Sequence, residues 1–463
     1  MKTRFFYIII AALIILGCSK NNKPSPAPPS IKEISISLNY DTVYTGTRSS
    51  IEIVVSVPDK TNMKELVVTK EAANNSFVPV NTIPAGEIKS GEIRYTYNFA
   101  SNDNEKFQIS FIPVGIDNKR YGAKKILIDR RTGLFPVSLF RLSRLTGASL
   151  WDERFPNPTP TSNWSVGGTD LGIMWDMGNG KTGIFFGDTY GNDFKPVSNG
   201  GPGGAGQWRY NVLAFSEDKN LDDGLSLSGM ATVAGNASFA RQIMDRHPGS
   251  HTAIPAGAIH INGVDYVHYW NLQTWDNFVT NFASLYKSTD HGLTWSRCTE
   301  ITYGPRSKFT CAAYAKKDGY VYLISTKVIR DDVPYLARVT ESDILKKDNY
   351  EYWNGTSWVR GNEDAATPVF NGPMGEASLQ YNLVHKVWML TYLGKPDIEI
   401  RYAKNVTGPW SKPRILVKAA EYPGLYGAFM HPVSDGNVIY FNMSMWWPYN
   451  VFFMKANLKY IEP

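Results

Sequence analysis

Between residues 31 and 130 apolar side chains recur at every second position. Ile34, Ile36 and Leu38 form one such set, and Ile51, Ile53 and Val55 the next. Ile93, Tyr95 and Tyr97 follow, then Phe107, Ile109 and Phe111, then Ile126 and Ile128. A period of two marks half-buried strands, because successive side chains of a strand point to opposite faces. Clusters of Gly, Asn, Asp and Pro separate the runs. About six or seven short strands in roughly a hundred residues predict an immunoglobulin-like (Ig-like) β-sandwich. The stretch has no Cys…Trp…Cys core and no group of catalytic residue types, so it reads as a spacer or binding module.

From residue 135 to 463 the texture changes: Trp and Gly become frequent, and hydrophobic runs recur between turn signals. Gly183–Gly187, Tyr266–Trp270, Tyr320–Ile324, Val387–Tyr392 and Val438–Phe441 are the candidate inner strands. Asn262-Gly263, Asp318-Gly319 and Asp435-Gly436 supply hairpin turns beside three of them. Units at roughly 50–80 residues fit the blade repeat of a five-bladed β-propeller. Ser288-Thr289-Asp290-His291-Gly292-Leu293-Thr294-Trp295 matches the S-x-D-x-G-x-T-W turn, or Asp box, found in propellers. There Asp290 is expected to bond backbone N–H groups of its own turn and Trp295 to pack between strands, both structural roles. The predicted fold is all-β: an Ig-like sandwich over 31–130 followed by a propeller over 135–463.

The front of the chain carries a different pattern. Lys2 and Arg4 precede an apolar stretch from Phe5 to Leu16, and Ile15-Leu16-Gly17-Cys18 forms a cleavage box. The stretch is too short to span a bilayer and predicts a signal peptide over 1–17. The box resembles that of bacterial lipoproteins, in which the Cys is lipidated, so Cys18 is the expected anchor. Residues 18–30, with Pro24, Pro26, Pro28 and Pro29, form a Pro-rich tether. The chain is therefore expected as a cell-envelope lipoprotein on the outer membrane, facing the periplasm or the outside. Ser19-Lys20-Asn21-Asn22-Lys23 lacks the acidic run that favours surface export in Bacteroidetes-type lipoproteins.

Composition narrows the partners. The net charge of +6, from 48 basic and 42 acidic residues, is diffuse, with no block of five Lys or Arg. Nucleic acid, which calls for a basic stripe, is set aside. Aromatics at 13% suit sugar rings, which stack on Trp and Tyr, although most aromatics fill β cores. Cys298 and Cys311, the other two cysteines, make no disulfide framework and no zinc motif. HExxH, calcium-loop and GxxxxGK[ST] patterns are missing, so no metal or nucleotide cofactor is predicted, and the chain is expected to work as a monomer.

The densest chemistry lies in Gly167-Gly168-Thr169-Asp170-Leu171-Gly172 and Phe185-Phe186-Gly187-Asp188-Thr189-Tyr190-Gly191. Two carboxylates eighteen residues apart each sit at the end of an apolar strand. A strand, turn and strand between them can return the chain to one rim and bring both acids together. Glycoside hydrolysis needs such a pair, one to protonate the leaving oxygen and one to act at the anomeric carbon. The plainer alternative is that Asp170 and Asp188 cap turns beside glycines. Trp208-Arg209-Tyr210-Asn211 follows a Gly-rich loop, Gly200 to Gly206, and offers Trp208, Arg209 and Asn211 to sugar hydroxyls and rings. His251 and His431, before Ile254-Pro255 and Pro432, are candidate substrate contacts, the alternative being satisfied core or loop histidines. Trp446, Trp447 and Tyr449 form either a stacking platform or the closure of the last blade.

Five segments change the weighing. Gly168–Gly172, Phe186–Gly191, Ile254-Pro255-Ala256-Gly257, Gly375–Asn382 and Tyr426–Pro432 together resemble domain of unknown function 4185. That family is a five-bladed propeller, and members form glycoside hydrolase family 183, endo-D-arabinanases acting on mycobacterial arabinan. The resemblance covers about residues 140–460 and leaves out the Ig-like part. It implies Asp170 and Asp188 as the catalytic pair, Asp188 as nucleophile or base and Asp170 as general acid, with the roles open to exchange. Glu376 is the third acid, either a proton donor or a like charge that tunes a neighbour.

The function expected is thus a lipid-anchored, endo-acting glycoside hydrolase cleaving D-arabinan of mycobacterial arabinogalactan and lipoarabinomannan. The alternatives are a non-catalytic glycan-binding lipoprotein, or a hydrolase of another polysaccharide. A sialidase is the weaker suggestion of the Asp box, which occurs once and without a clear arginine triad.

Overall fold

The computed structural model describes residues 33–72, 75–89, 91–198, 200–202 and 206–463. The expected leader, Cys18 and tether lie outside the described residues. The chain divides into two compact units, the first ending at Arg130 and the second running from Arg131 to Pro463. Both are all-β, with helix confined to short 3-10 turns among the described residues.

The first unit holds two sheets. One orders Ser37–Leu38, Ser50–Ser56 and Glu92–Asn98; the other orders Thr42–Tyr44, Lys124–Asp129, Lys106–Gly115, Met63–Glu71 and Phe77–Pro84. The period of two is realised directly: Glu92–Asn98 alternates exposed and buried along its whole length. Ile51, Ile53, Val55, Tyr95 and Tyr97 from the first sheet share one core with Leu66, Phe107, Ile109, Phe111 and Ile128 from the second. Thr42–Tyr44 pairs parallel with Leu127–Asp129, while the other ladders are antiparallel.

The second unit is built of five sheets and one two-stranded ribbon. Sheet I orders Leu171–Asp176, Thr182–Phe186, Val212–Ser216 and Gly229–Met230. Sheet II follows with Thr252–Ile261, Val264–Thr274, Val279–Ser288 and Ser296–Tyr303. Sheet III is Cys311–Lys317, Tyr320–Thr326, Tyr335–Thr340, Glu351–Trp353 and Trp358–Arg360. Sheet IV is Ala377–Asn382, Val387–Leu393, Ile398–Ala403 and Arg414–Val417. Sheet V takes Leu425–Met430, Val438–Met445 and Asn450–Ile461, and its fourth strand is Gly133–Arg144 from the start of the unit. The first strands of the sheets touch in cyclic order, I to II, II to III, III to IV, IV to V and V back to I.

The hydrophobic runs expected as inner strands are the second strands of the sheets. Covered strands are rich in apolar residues, and Val387–Leu393, the second strand of sheet IV, is buried at every residue. The first strands converge on the axis of the ring, where only small side chains fit side by side. Their sequences are accordingly Pro255-Ala256-Gly257-Ala258, Cys311-Ala312-Ala313 and Gly427-Ala428. The hairpin turns fall where expected, with positive φ at Asn262 and Gly263 and at Asp318 and Gly319.

The Asp box closes on itself. Asp290 Oδ1 accepts from the Thr294 amide at 2.8 Å and from Ser288 Oγ at 2.7 Å, and Oδ2 accepts from Thr294 Oγ1 at 2.6 Å. These bonds to its charged form hold Asp290 down at about 2, against the desolvation that pushes it up. Trp295 reaches across to sheet I, 5.2 Å from the ring of Phe185 and 6.4 Å from that of Trp175. Replacing Asp290 by Ala is expected to cost about 1 kcal/mol of stability, read as a lower urea midpoint, with any hydrolytic activity intact. An activity loss without a shifted midpoint would contradict a purely structural role.

Candidate functional site

The starts of the five first strands surround one cavity of about 590 Å³. Asp170 and Asp188 from sheet I, Cys311 and Arg330 from sheet III, Glu376 from sheet IV and Tyr426 from sheet V all line it. Aromatic rings make up much of the wall: Tyr190, Trp208, Trp270, Trp275, Phe278, Phe429, Trp446 and Tyr449. Its size lies within the usual range of small-molecule sites.

Asp170 precedes the first strand of sheet I at a bulge, where Leu171 adopts a left-handed φ of 66°. A leucine is not stable there by itself. Sheet V holds the kink: Leu171 N–H donates to Ser444 Oγ at 2.8 Å, and Asn442 Nδ2 donates to the Gly172 carbonyl at 2.8 Å. The carboxyl then lies against Gly187, where a Cβ would stand 2.3 Å from Asp170 Oδ1. Only glycine leaves that space. Oδ2 accepts from the Tyr426 hydroxyl at 3.0 Å, while Oδ1 is buried without a hydrogen-bond partner. Burial, then the charge of Asp188, pushes Asp170 up to about 8, against the Tyr426 bond that lowers it.

Asp188, only 6% exposed, follows the second strand of sheet I. Its Oδ1 accepts from Thr252 Oγ1 at 2.7 Å and from Trp208 Nε1 at 2.9 Å. Burial raises it to about 6, and these two bonds to the charged form oppose the rise. Two carboxyls thus share one cavity with unequal hold on their protons. At neutral pH the first carries its proton and the second has mostly lost it.

Glu376 is engaged by Arg330, whose Nε lies 3.1 and 3.2 Å from its two oxygens and whose Nη2 also donates to Oε1. Arg330 itself has a left-handed φ of 69°. Among the described residues no group of three or more His, Cys, Asp or Glu side chains converges as a metal-ligand set.

Residues 156–455 match the family described as Domain of unknown function (DUF4185). The chain belongs to the DUF4185 family. It is 30% identical over 311 residues to Notoamide biosynthesis cluster protein J′ of Aspergillus versicolor, covering 61% of this chain and 82% of that protein. Notoamide biosynthesis cluster protein J of Aspergillus sp. (strain MF297-2) is 29% identical over 311 residues, 61% of this chain and 80% of that protein. Among solved structures, the chain is similar to the α-L-arabinofuranosidase of Podospora anserina, crystallised with cellotriose. That likeness has 11% identity and a TM-score of 0.37, over 70% of this chain and 98% of the other.

Within this DUF4185 chain the other expected site residues separate into two groups. Trp208, His251 and Trp446 face the cavity, and the Trp208 and His251 rings lie 5.4 Å apart. Arg209, Asn211 and His431 do not line it, which corrects their reading as substrate contacts. Arg209 is buried and donates to the carbonyls of Ala240 at 2.7 Å and Gln207 at 3.3 Å, and to that of Ser165. Asn211 donates to the Met244 and Ala253 carbonyls and accepts from the Ile243 and Met244 amides, so its whole amide is used in joining loops. His431 is buried at the far end of its strand, where Val433 N–H donates to its Nδ1 at 3.3 Å. Burial lowers it to about 4, leaving it neutral.

Sequence reasoning missed Arg330, Thr252 and Tyr426 as parts of the site. Tyr426 opens one of the family-like segments and Thr252 lies two residues before another, so proximity to motifs was their signal. Arg330 sits in a loop without any local pattern; only the fold carries it to Glu376. Cys298 and Cys311 are free, and burial pushes the Cys311 thiol at the cavity wall well up.

Proposed function

We propose that the second unit is a five-bladed β-propeller glycoside hydrolase, in which Asp170 is the general acid and Asp188 the base or nucleophile. The observation that carries this is the pair of carboxyls facing one aromatic-walled cavity, held at about 8 and about 6. A proton held by Asp170 goes to the glycosidic oxygen as the C–O bond breaks. Asp188 either takes a proton from the attacking water or attacks the anomeric carbon itself, and water then completes the hydrolysis. Trp208 and Trp446, half exposed on the wall, are suited to stack on sugar rings. The cyclic contact of five first strands supports the propeller reading.

The substrate proposed is D-arabinan of mycobacterial arabinogalactan and lipoarabinomannan, attacked internally, as the family 183 resemblance implies. The first unit is proposed as an Ig-like spacer or binding module, and Cys18 as the lipid anchor that holds a monomeric chain at the cell envelope. The test is release of oligosaccharides from arabinogalactan, lipoarabinomannan and plant L-arabinan. Products from the D-arabinans alone support the reading. Release from a different polysaccharide keeps the hydrolase and changes its substrate, whereas retention of glycan without any product makes the chain a binder.

Activity is expected to trace a bell against pH. Asp188 must be ionised, which sets the acid limb near about 6, and Asp170 must be protonated, which sets the alkaline limb near about 8. The two limbs belong to the coupled pair as a whole. A kcat/KM that keeps climbing well above the upper limb would remove Asp170 as the acid.

A further inference from the structure

Arg330 and Glu376 line the same cavity, yet each spends its charge on the other. The Arg330 guanidinium also stands 5.1 Å from the ring centroid of Tyr426. The Tyr426 hydroxyl in turn donates to Asp170 Oδ2 at 3.0 Å. A continuous line of contacts therefore runs from Glu376 through Arg330 and Tyr426 to Asp170. Its anchoring is costly: Arg330 takes a left-handed φ, fixed by its N–H donating to the Met374 carbonyl at 3.0 Å. Strain of this kind persists where surrounding structure demands one geometry.

We propose that Arg330 and Glu376 form a positioning pair that acts on Asp170 through Tyr426 and does not itself meet the substrate. The proposal rests on the reading of Asp170 as the general acid for its catalytic consequence, but the coupling to Asp170 stands apart from any activity. The groups facing Asp170 are Asp188 and Tyr190 from sheet I, Glu376 from sheet IV, Tyr426 and Tyr449 from sheet V, and Arg330. Glu376 pushes protons onto Asp170 and Arg330 pushes them off, so the two charges of the intact pair oppose each other. What remains is a neutral clamp that holds the Tyr426 ring and its hydroxyl. Breaking the pair on either side releases an uncompensated charge of known sign.

The experiment is a titration of the Asp170 carboxyl by carbon NMR in the full chain, its resonance assigned by loss in Asp170→Asn. Glu376→Gln leaves Arg330 unopposed and is expected to lower the Asp170 midpoint by about one unit. Arg330→Gln leaves Glu376 unopposed and is expected to raise it. The double variant removes both charges and the clamp together, so the Asp170 midpoint is expected to rise toward that of Tyr426→Phe. A return to the wild-type value would mean that the pair acts only as two opposed charges and overturns the route through Tyr426. Tyr426→Phe, with the pair intact, removes one bond to the charged form and sets the size of the rise expected when the clamp is lost. If a Gln variant does not fold, Arg330→Lys, which keeps the charge and loses the fork, is expected to raise the midpoint in the same direction, and an unmoved midpoint there overturns the proposal. Midpoints of Glu376→Gln and Arg330→Gln that move in the same direction as each other, or not at all, overturn the proposal. In the activity profile the alkaline limb is expected to follow these shifts with KM unchanged. A raised KM with an unmoved limb puts Arg330 on the substrate and also overturns it. If the wild type hydrolyses none of the arabinans while the midpoints move as expected, the hydrolase reading falls and the pair stands.

Discussion

Replacing Asp188 by Asn is expected to lower kcat by about 10²–10⁴ on whichever glycan the wild type cleaves, with binding kept. Asn preserves the volume and still accepts from Thr252 and Trp208 through its carbonyl, so the wall geometry survives. What is lost is the negative charge that the proposed base or nucleophile needs. Asp170→Asn is expected to lose turnover by a comparable factor, since Asn has no proton to give. The two variants differ in stability. Asp170 has its folded value raised to about 8, far above its ordinary 3.8, so the folded state holds a proton that the unfolded chain releases. That group contributes stability fully below its unfolded value, and the contribution is lost as pH rises through about 8. Asp170→Asn is therefore expected to melt above the wild type at pH values over about 8, with the difference closing toward acid pH. An inactive variant that melts below the wild type at every pH would count against a carboxyl forced into a cavity for function.

Arg144→Leu is expected to be the most damaging substitution away from the cavity, costing about 3–5 kcal/mol and roughly 5–10 °C in the Tm of the second unit. Arg144 is completely buried. Its Nε donates to Glu153 Oε2 at 2.7 Å, Nη2 donates to the other oxygen, and Nη1 donates to Asn450 Oδ1 at 2.6 Å. Asn450 is 306 residues away in sequence and begins the strand that Gly133–Arg144 joins to complete sheet V. Removing the guanidinium leaves a largely buried carboxylate and a buried amide without their donor, and does so at the seam where the two ends of the unit meet. Lys at this position keeps the charge without the fork and is expected to lie between the two. A variant as stable as the wild type would mean that the seam is held by the backbone ladder alone.

How much of the site was legible follows from how each residue is held. Asp170 and Asp188 stood out because glycines flank both, and the geometry gives the reason at Gly187, where no side chain fits beside the Asp170 carboxyl. Arg209 and Asn211 looked like sugar contacts because polar residues after a Gly-rich loop are usually exposed. Here both are buried, and their donors go to backbone carbonyls. Glu376 was legible as an acid but not as half of an ion pair, because its partner lies 46 residues away in a loop of sheet III. The inner strands were misassigned for a similar reason. Hydrophobicity reports how much of a strand is covered, and in sheets III and IV the second strand is more covered than the one nearest the axis.

Local chemistry alone was enough for the strand pattern, the hairpin turns at Asn262-Gly263 and Asp318-Gly319 and the self-contained Asp box. Each of these depends on side-chain periodicity or on contacts within a few residues, which short-range sterics and hydrogen bonding dictate. The closure of sheet V by Gly133–Arg144, the Ser444 and Asn442 bonds that hold Leu171 in its strained turn, and the Arg330–Glu376 pair belong to the tertiary structure. So does the difference between the two acids. Their unequal hold on protons comes from burial and from partners on other sheets, which no pattern of neighbours along the chain encodes.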